Sequence, residues 1–264
     1  MVASLILFSN LAMSKKLINI KRLILFSVLV IVTSCENYNY KDEDLIIKGR
    51  FSDTNESLKE GYWYYIASQT GDTLKYGEYD EGHKTGNWKY TVEDQTKTIN
   101  WKIFKGNNFS INYPRGWEVI QNDDFLFYTV RDSLSGFNIV EKKLDTIPNE
   151  EMYFEEFLEN LGRLNLQSIS YEEKTIQDDI KVYDGNFTYL KNDSTKVSCI
   201  NTILFDGNRI YESTLFQRGN ESLTENDYLM QKEILYSLFI KNKPLVLLPY
   251  ISDQKNIKIN LNKN

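Results

Sequence analysis

An α+β architecture, an antiparallel β-sheet covered by helices with a small β-hairpin module in front of it, is predicted by three observations. An internal repeat rich in Gly, Trp and Tyr fills residues 49–106. From 107 to 241 the patterns run in the order strands, helix, long antiparallel strands, helix, which places helices on one sheet. The flanks differ from both: a basic and then apolar leader over 1–34, a polar tether over 35–48 and a tail over 242–264.

The leader comes first. Lys15, Lys16, Lys21 and Arg22 form a positive cluster, Leu23 to Val32 an apolar run, and Thr33 and Ser34 supply small residues before Cys35. The run is too short for a transmembrane helix, which needs about 20 apolar residues. Val32-Thr33-Ser34-Cys35 resembles the lipobox of bacterial lipoproteins. The resemblance implies cleavage of a signal peptide over 1–34, acyl chains such as diacylglyceryl and palmitate on Cys35, and an anchored position in the bacterial cell envelope, at the outer membrane. Two or three acyl chains hold a protein stably where one is marginal. Met13 stands nearer the basic cluster than Met1, so two starts are open. Glu36 to Asp44 is polar and charge-rich with nothing periodic to bury, and it reads as the tether.

Charge narrows the partners. The leader carries four of the 31 Lys and Arg and none of the 37 Asp and Glu, so the processed chain has 27 against 37 and a net charge of −10. That balance excludes nucleic acid, whose phosphates require a basic stripe, and leaves the acyl chains as the membrane contact. Once Cys35 is acylated, Cys199 is the one remaining thiol, so no disulfide forms within the chain. Cys199 sits in an alternating, strand-like run and reads as buried and inert.

In the repeat, Lys59-Glu60-Gly61-Tyr62-Trp63-Tyr64-Tyr65 aligns with Lys84-Thr85-Gly86-Asn87-Trp88-Lys89-Tyr90, and Gly-x-aromatic precedes each at Gly49 to Phe51 and Gly77 to Tyr79. Glycines supply turn geometry, and alternate Trp and Tyr side chains share one face of a hairpin ladder. The pattern resembles MORN-type repeats and the related YwqK-like antitoxin repeats. That resemblance implies a contact role without specifying a partner, and it makes Trp63, Tyr65, Trp88 and Tyr90 the candidate interaction surface.

Beyond residue 107, Phe109 to Pro114 alternates apolar and polar, Arg115 to Val119 turns into a second strand, and 125–130 and 136–142 continue the set. Asn149 caps a helix that presents Phe154, Phe157, Leu158, Leu161 and Leu164 on one face. Strands follow at about 168–173, 181–190, 196–205 and 209–216, with Asp206-Gly207-Asn208 as a hairpin turn. A last helix starts at Ser222 or Thr224 and is expected to run to about Lys241. Phe109 to Trp117, Leu204 to Tyr211 and Ile234 to Phe239 together resemble PsbP-like domains, which implies an α/β/α sandwich and carries no catalytic or metal residue. In the tail, Pro244 to Pro249 is apolar and is expected to pack on the body.

No His-Glu-x-x-His, Cys-x-x-Cys, phosphate loop or Gly-x-Ser-x-Gly occurs. The one histidine, His83, reads as a surface turn residue. Adjacent acids such as Asp123-Asp124 and Asp178-Asp179 point to different sides of an element and do not converge. The expected function is therefore non-enzymatic, with no cofactor and no metal: a lipid-anchored envelope protein acting as a protein-binding or scaffold module for an envelope partner. An immunity or antitoxin-like role and a small-molecule or lipid carrier are the alternatives.

Overall fold

The computed structural model describes residues 38–41, 45–53, 55–92, 94–176, 180–191, 194–246 and 251–257; at 38–41, 55–57 and 251–256 only the backbone is described. The leader and Cys35 lie outside the described residues. Two antiparallel sheets dominate. The first contains β1 (Tyr38–Lys41), β2 (Leu45–Ser52), β3 (Asn55–Ala67), β4 (Thr73–Asp80), β5 (His83–Val92), β6 (Gln95–Lys105) and β7 (Phe109–Pro114) in chain order. The second takes β8 (Glu118–Val119), β9 (Phe127–Val130) and β10 (Ser135–Lys143). After helix α1 (Glu150–Gly162) it continues with β11 (Asn165–Ile176), β12 (Ile180–Leu190), β13 (Lys196–Asp206) and β14 (Arg209–Arg218). Helix α2 (Glu225–Leu235) precedes β15 (Phe239–Ile240) and β16 (Lys243–Pro244), which extend the first sheet beyond β7, and β17 (Ile251–Ile257), which edges the second against β11.

This arrangement corrects the expected α/β/α sandwich. The fold is mostly β, 61% strand, with two helices among the described residues. Those helices have 13 and 11 residues, hence lengths of about 17–20 Å. Eight strands at about 4.8 Å spacing make a sheet nearly 40 Å wide, which neither helix can cover. Instead α2 is sandwiched between the sheets, with Met230, Ile234 and Leu235 in one core with Trp63, Trp88 and Ile111 of the first sheet and Ile200, Leu204 and Leu215 of the second. Helix α1 lies against the other face of the second sheet, where Phe154 stacks on Tyr183 at 4.1 Å. The repeat strands are continuous with β6 and β7 and share this core.

Local chemistry explains the boundaries. Asn149 accepts from Met152 N–H and starts α1. Thr224 and Asp227 form a reciprocal capping box at α2. Helix α2 ends at Leu235, six residues short of the expected Lys241. Ser237 donates back to the Ile234 carbonyl at 2.7 Å, and Lys241 and Asn242 at positive φ turn the chain into the β15–β16 hairpin. Residues 38–41, within the stretch read as a tether, form β1 and pair with 46–49 of β2. The tail pairs with β11 through Ile251 to Ile257, and Val246 is buried.

Candidate functional site

The repeat is as regular in space as in sequence. A Cβ placed on Gly49 would lie 2.2 Å from the Trp63 ring, and one on Gly77 would lie 2.3 Å from the Trp88 ring. Gly61 and Gly86 both take positive φ. Trp63 donates its indole N–H to the Arg50 carbonyl and Trp88 to the Glu78 carbonyl, each the residue after that glycine. Phe51 and Tyr79 meet these indoles edge-on at 5.1 and 4.8 Å.

This packing settles where the four aromatic candidates lie. Trp63 is 0% exposed, Tyr65 2%, Trp88 0% and Tyr90 1%. They form the inner face of the first sheet, so they offer no interaction surface. The reason is the two-residue strand period: rings of this size gain on the order of 4 kcal/mol each by leaving water, and the second sheet and α2 supply the cover. The face turned outward carries Tyr62 (59% exposed) and Tyr64 (40%), with Tyr64 stacked on Tyr76 at 5.8 Å.

Burying the aromatic face also buries the repeat lysines. Lys59 and Lys84 occupy matching places four residues before Trp63 and Trp88, and their Nζ atoms lie 5.3 and 5.7 Å from those rings. Lys75 of β4 reaches into the same space with Nζ 4.3 Å from the Tyr65 ring. Among the described residues, the one carboxylate that pairs with them is that of Glu233 of α2. It pairs with Lys75 and, at 2.7 Å, with Lys84, and it accepts from the Tyr90 hydroxyl at 3.2 Å. Lys59 has the Tyr65 hydroxyl, 3.4 Å away, as its hydrogen-bond partner and forms no ion pair among the described residues. Three ammonium groups thus face one carboxylate around a cavity of about 30 Å³, bordered also by Tyr79, Tyr236 and Ser237.

Electrostatics follow from burial. Burial, with repulsion from Lys75 and Lys84, pushes Lys59 down to about 7 against the pull of Glu233. Burial lowers Lys84 to about 8, again opposed by Glu233. Burial alone would raise Glu233, but Lys75 and Lys84 outweigh it and hold the carboxyl at about 2. Buried charge of one sign in excess is costly unless a counter-ion balances it. The arrangement can receive an anionic group.

His83 departs from its expected place. It is 8% exposed, with its ring 4.3 Å from Phe239. Asn112 donates from Nδ2 to the Lys84 carbonyl and accepts at Oδ1 from the Lys84 amide, so Oδ1 faces His83 Nδ1 at 3.3 Å. Nδ1 therefore carries the proton, and Nε2 accepts from the Ser110 hydroxyl at 3.0 Å. Burial lowers the His83 pKa despite the Asn112 bond, in keeping with that neutral tautomer. The polarity is that of a nucleophile relay, but acyl transfer also needs N–H donors converging beside the hydroxyl. Ser110 lies in the ladder, opposite Lys105 of β6 and Phe239 of β15. These bonds tie the repeat turn to β7.

Cys199 is buried, and burial pushes its thiol up to about 12. Among the described residues no group of three His, Cys, Asp or Glu side chains could hold a metal ion, and no helix is long and apolar enough to cross a membrane. Lys75 and Glu233 carry no motif, whereas the repeat alignment already pairs Lys59 with Lys84.

No family model matches the chain, and no curated protein matches it. Among solved structures, the chain is similar to a crystal structure from Bacteroides thetaiotaomicron VPI-5482 at 18% identity and TM-score 0.36, over 53% of this chain and 47% of that one. It thus spans about half the length of that protein. It is also similar to the solution structure of cyanobacterial PsbP (CyanoP) from Synechocystis sp. PCC 6803, at 10% identity and TM-score 0.39, over 53% of this chain and 92% of that one.

Proposed function

We propose that this protein is a lipid-anchored binding protein of the bacterial cell envelope, held at the outer membrane through Cys35, whose body binds a small anionic group without catalysing a reaction. The observation that carries the binding role is the convergence of Lys59, Lys75 and Lys84 on a cavity with Glu233 as the one opposing carboxylate among the described residues. The cavity of about 30 Å³ admits a group the size of one or two waters, the scale of a carboxylate head. The likeness of Val32 to Cys35 to a lipobox supports the anchor, and the acidic net charge leaves acyl chains to hold the protein at a membrane.

Acetate is the simplest probe. Millimolar acetate at constant ionic strength raises the melting temperature of the protein, and Lys59→Met removes the rise; an equal shift in both proteins would sink the reading.

A second reading, scaffolding of an envelope protein partner, is favoured by the outer tyrosines of the first sheet. Tyr62, Tyr64 and Tyr76 lie together on that face, with Lys89 Nζ 5.4 Å from the Tyr76 ring. Such amphipathic rings are common anchors at protein interfaces. Cross-linking in the native cell distinguishes this reading: it requires a stoichiometric partner that a Tyr62→Ser, Tyr64→Ser variant no longer captures.

A further inference from the structure

The lysine cavity does not stand alone. Tyr65 and Lys75 border it and also border a second, larger depression of about 290 Å³. The remaining walls of that depression are Leu45, Leu74, Leu229, Tyr90 and Thr91. It is therefore an apolar groove with a cationic end. Leu74 is exposed, so the groove is open along one side.

We infer that this groove and the lysine cavity form one site for a single-chain anionic amphiphile, its carboxylate head beside Lys75 and Lys59 and its alkyl chain along Leu45, Leu74 and Leu229; the inference rests on the anion-binding reading above. Charge selects the head. Glu233 pairs with Lys75 and Lys84, leaving the Lys59 ammonium for an incoming carboxylate. Size selects the tail, because 290 Å³ accommodates roughly ten groups of water or methylene size, one chain of about ten carbons. A two-chain lipid exceeds that space. Tyr65 and Tyr90 add apolar ring surface to the walls while their hydroxyls are engaged by Lys59 and by Glu233.

Calorimetric titration of the intact folded protein tests this with three probes: decanoate below its micellar concentration, acetate, and decanol. Decanoate is expected to bind on the order of 100-fold more tightly than acetate, the gain from burying about four methylenes. Leu74→Asp is expected to abolish that advantage. Leu45→Asp provides a second test of the same wall should the first variant fail to fold, as judged by its melting curve. If acetate binds and decanoate binds no better, the amphiphile is rejected and the anion site stands. If neither binds, both fall. Decanol bound as tightly as decanoate would also overturn the inference, because the lysines would then have no part in recognition.

Discussion

At the scale of single residues, Glu233 is the group on which the pocket depends. Glu233→Gln leaves Lys59, Lys75 and Lys84 buried without a counter-charge and is expected to destabilise the protein by about 3–5 kcal/mol in urea unfolding. Lys59→Met, which removes a buried ammonium that has no ion pair among the described residues, is expected to leave stability unchanged or raise it. The pH dependences have opposite origins. The Glu233 carboxyl falls from 4.5 to about 2 on folding, so its contribution is present above the unfolded value and is lost as pH drops from 4.5 towards 2. Lys59 falls from 10.5 to about 7 on folding, so the unfolded chain binds more protons between those values and stability rises with pH across that window. Unfolding free energies of wild type and Lys59→Met between pH 7 and 10 should show that slope in the first and a smaller one in the second. The sequence marks Lys59 and Lys84 by their repeat alignment, but says nothing of Lys75 or Glu233. Their meeting is set by where α2 inserts, a long-range event with no local pattern.

At the scale of elements, the repeat hairpins stand on close contact between a glycine and the tryptophan across from it. Gly77→Ala puts a methyl 2.3 Å from the Trp88 ring and is expected to cost about 1–3 kcal/mol. Gly49→Ala, facing Trp63 at 2.2 Å, should cost a matching amount, and unequal losses in chemical denaturation would deny the equivalence of the two repeats. The repeat and the cap at Asn149 were legible because each is a local rule: glycine for approach and φ, side-chain oxygen for an orphan N–H. The face of the aromatics was less so. Alternation separates Trp63 and Tyr65 from Tyr62 and Tyr64, but not which set meets the core; the second sheet decides that. The end of α2 is hidden in the sequence for a related reason, since Leu238 and Phe239 are buried as a helix would bury them while belonging to the turn and strand that return the chain to β7.

At the scale of the whole molecule, two sheets and α2 share a core, so the folded body is expected to unfold as one unit. All four tryptophans, Trp63, Trp88, Trp101 and Trp117, lie between 63 and 117, so their fluorescence follows the first half while far-ultraviolet circular dichroism follows the whole chain. The two thermal transitions should coincide, and an earlier fluorescence transition would reveal an independent hairpin module. Cys35→Ala is expected to release the protein from membranes, with loss of lipid label in fractionation. The strand segments between Phe109 and Phe216 are largely readable from alternation and turns. The sandwich with covering helices was not correct, because sequence patterns count elements without showing that the repeat strands run on into the body and take the face reserved for helices.

The account turns on a lysine held ready for an anion, and the titration of Lys59 itself reads that directly. Lysine ¹³Cε resonances, with the Lys59 signal assigned by its absence in Lys59→Met, should show Lys59 titrating near 7 in the free protein and moving upward in acetate, because a neighbouring anion favours the charged form. A Lys59 that titrates near the ordinary 10.5 and does not respond to acetate would contradict it.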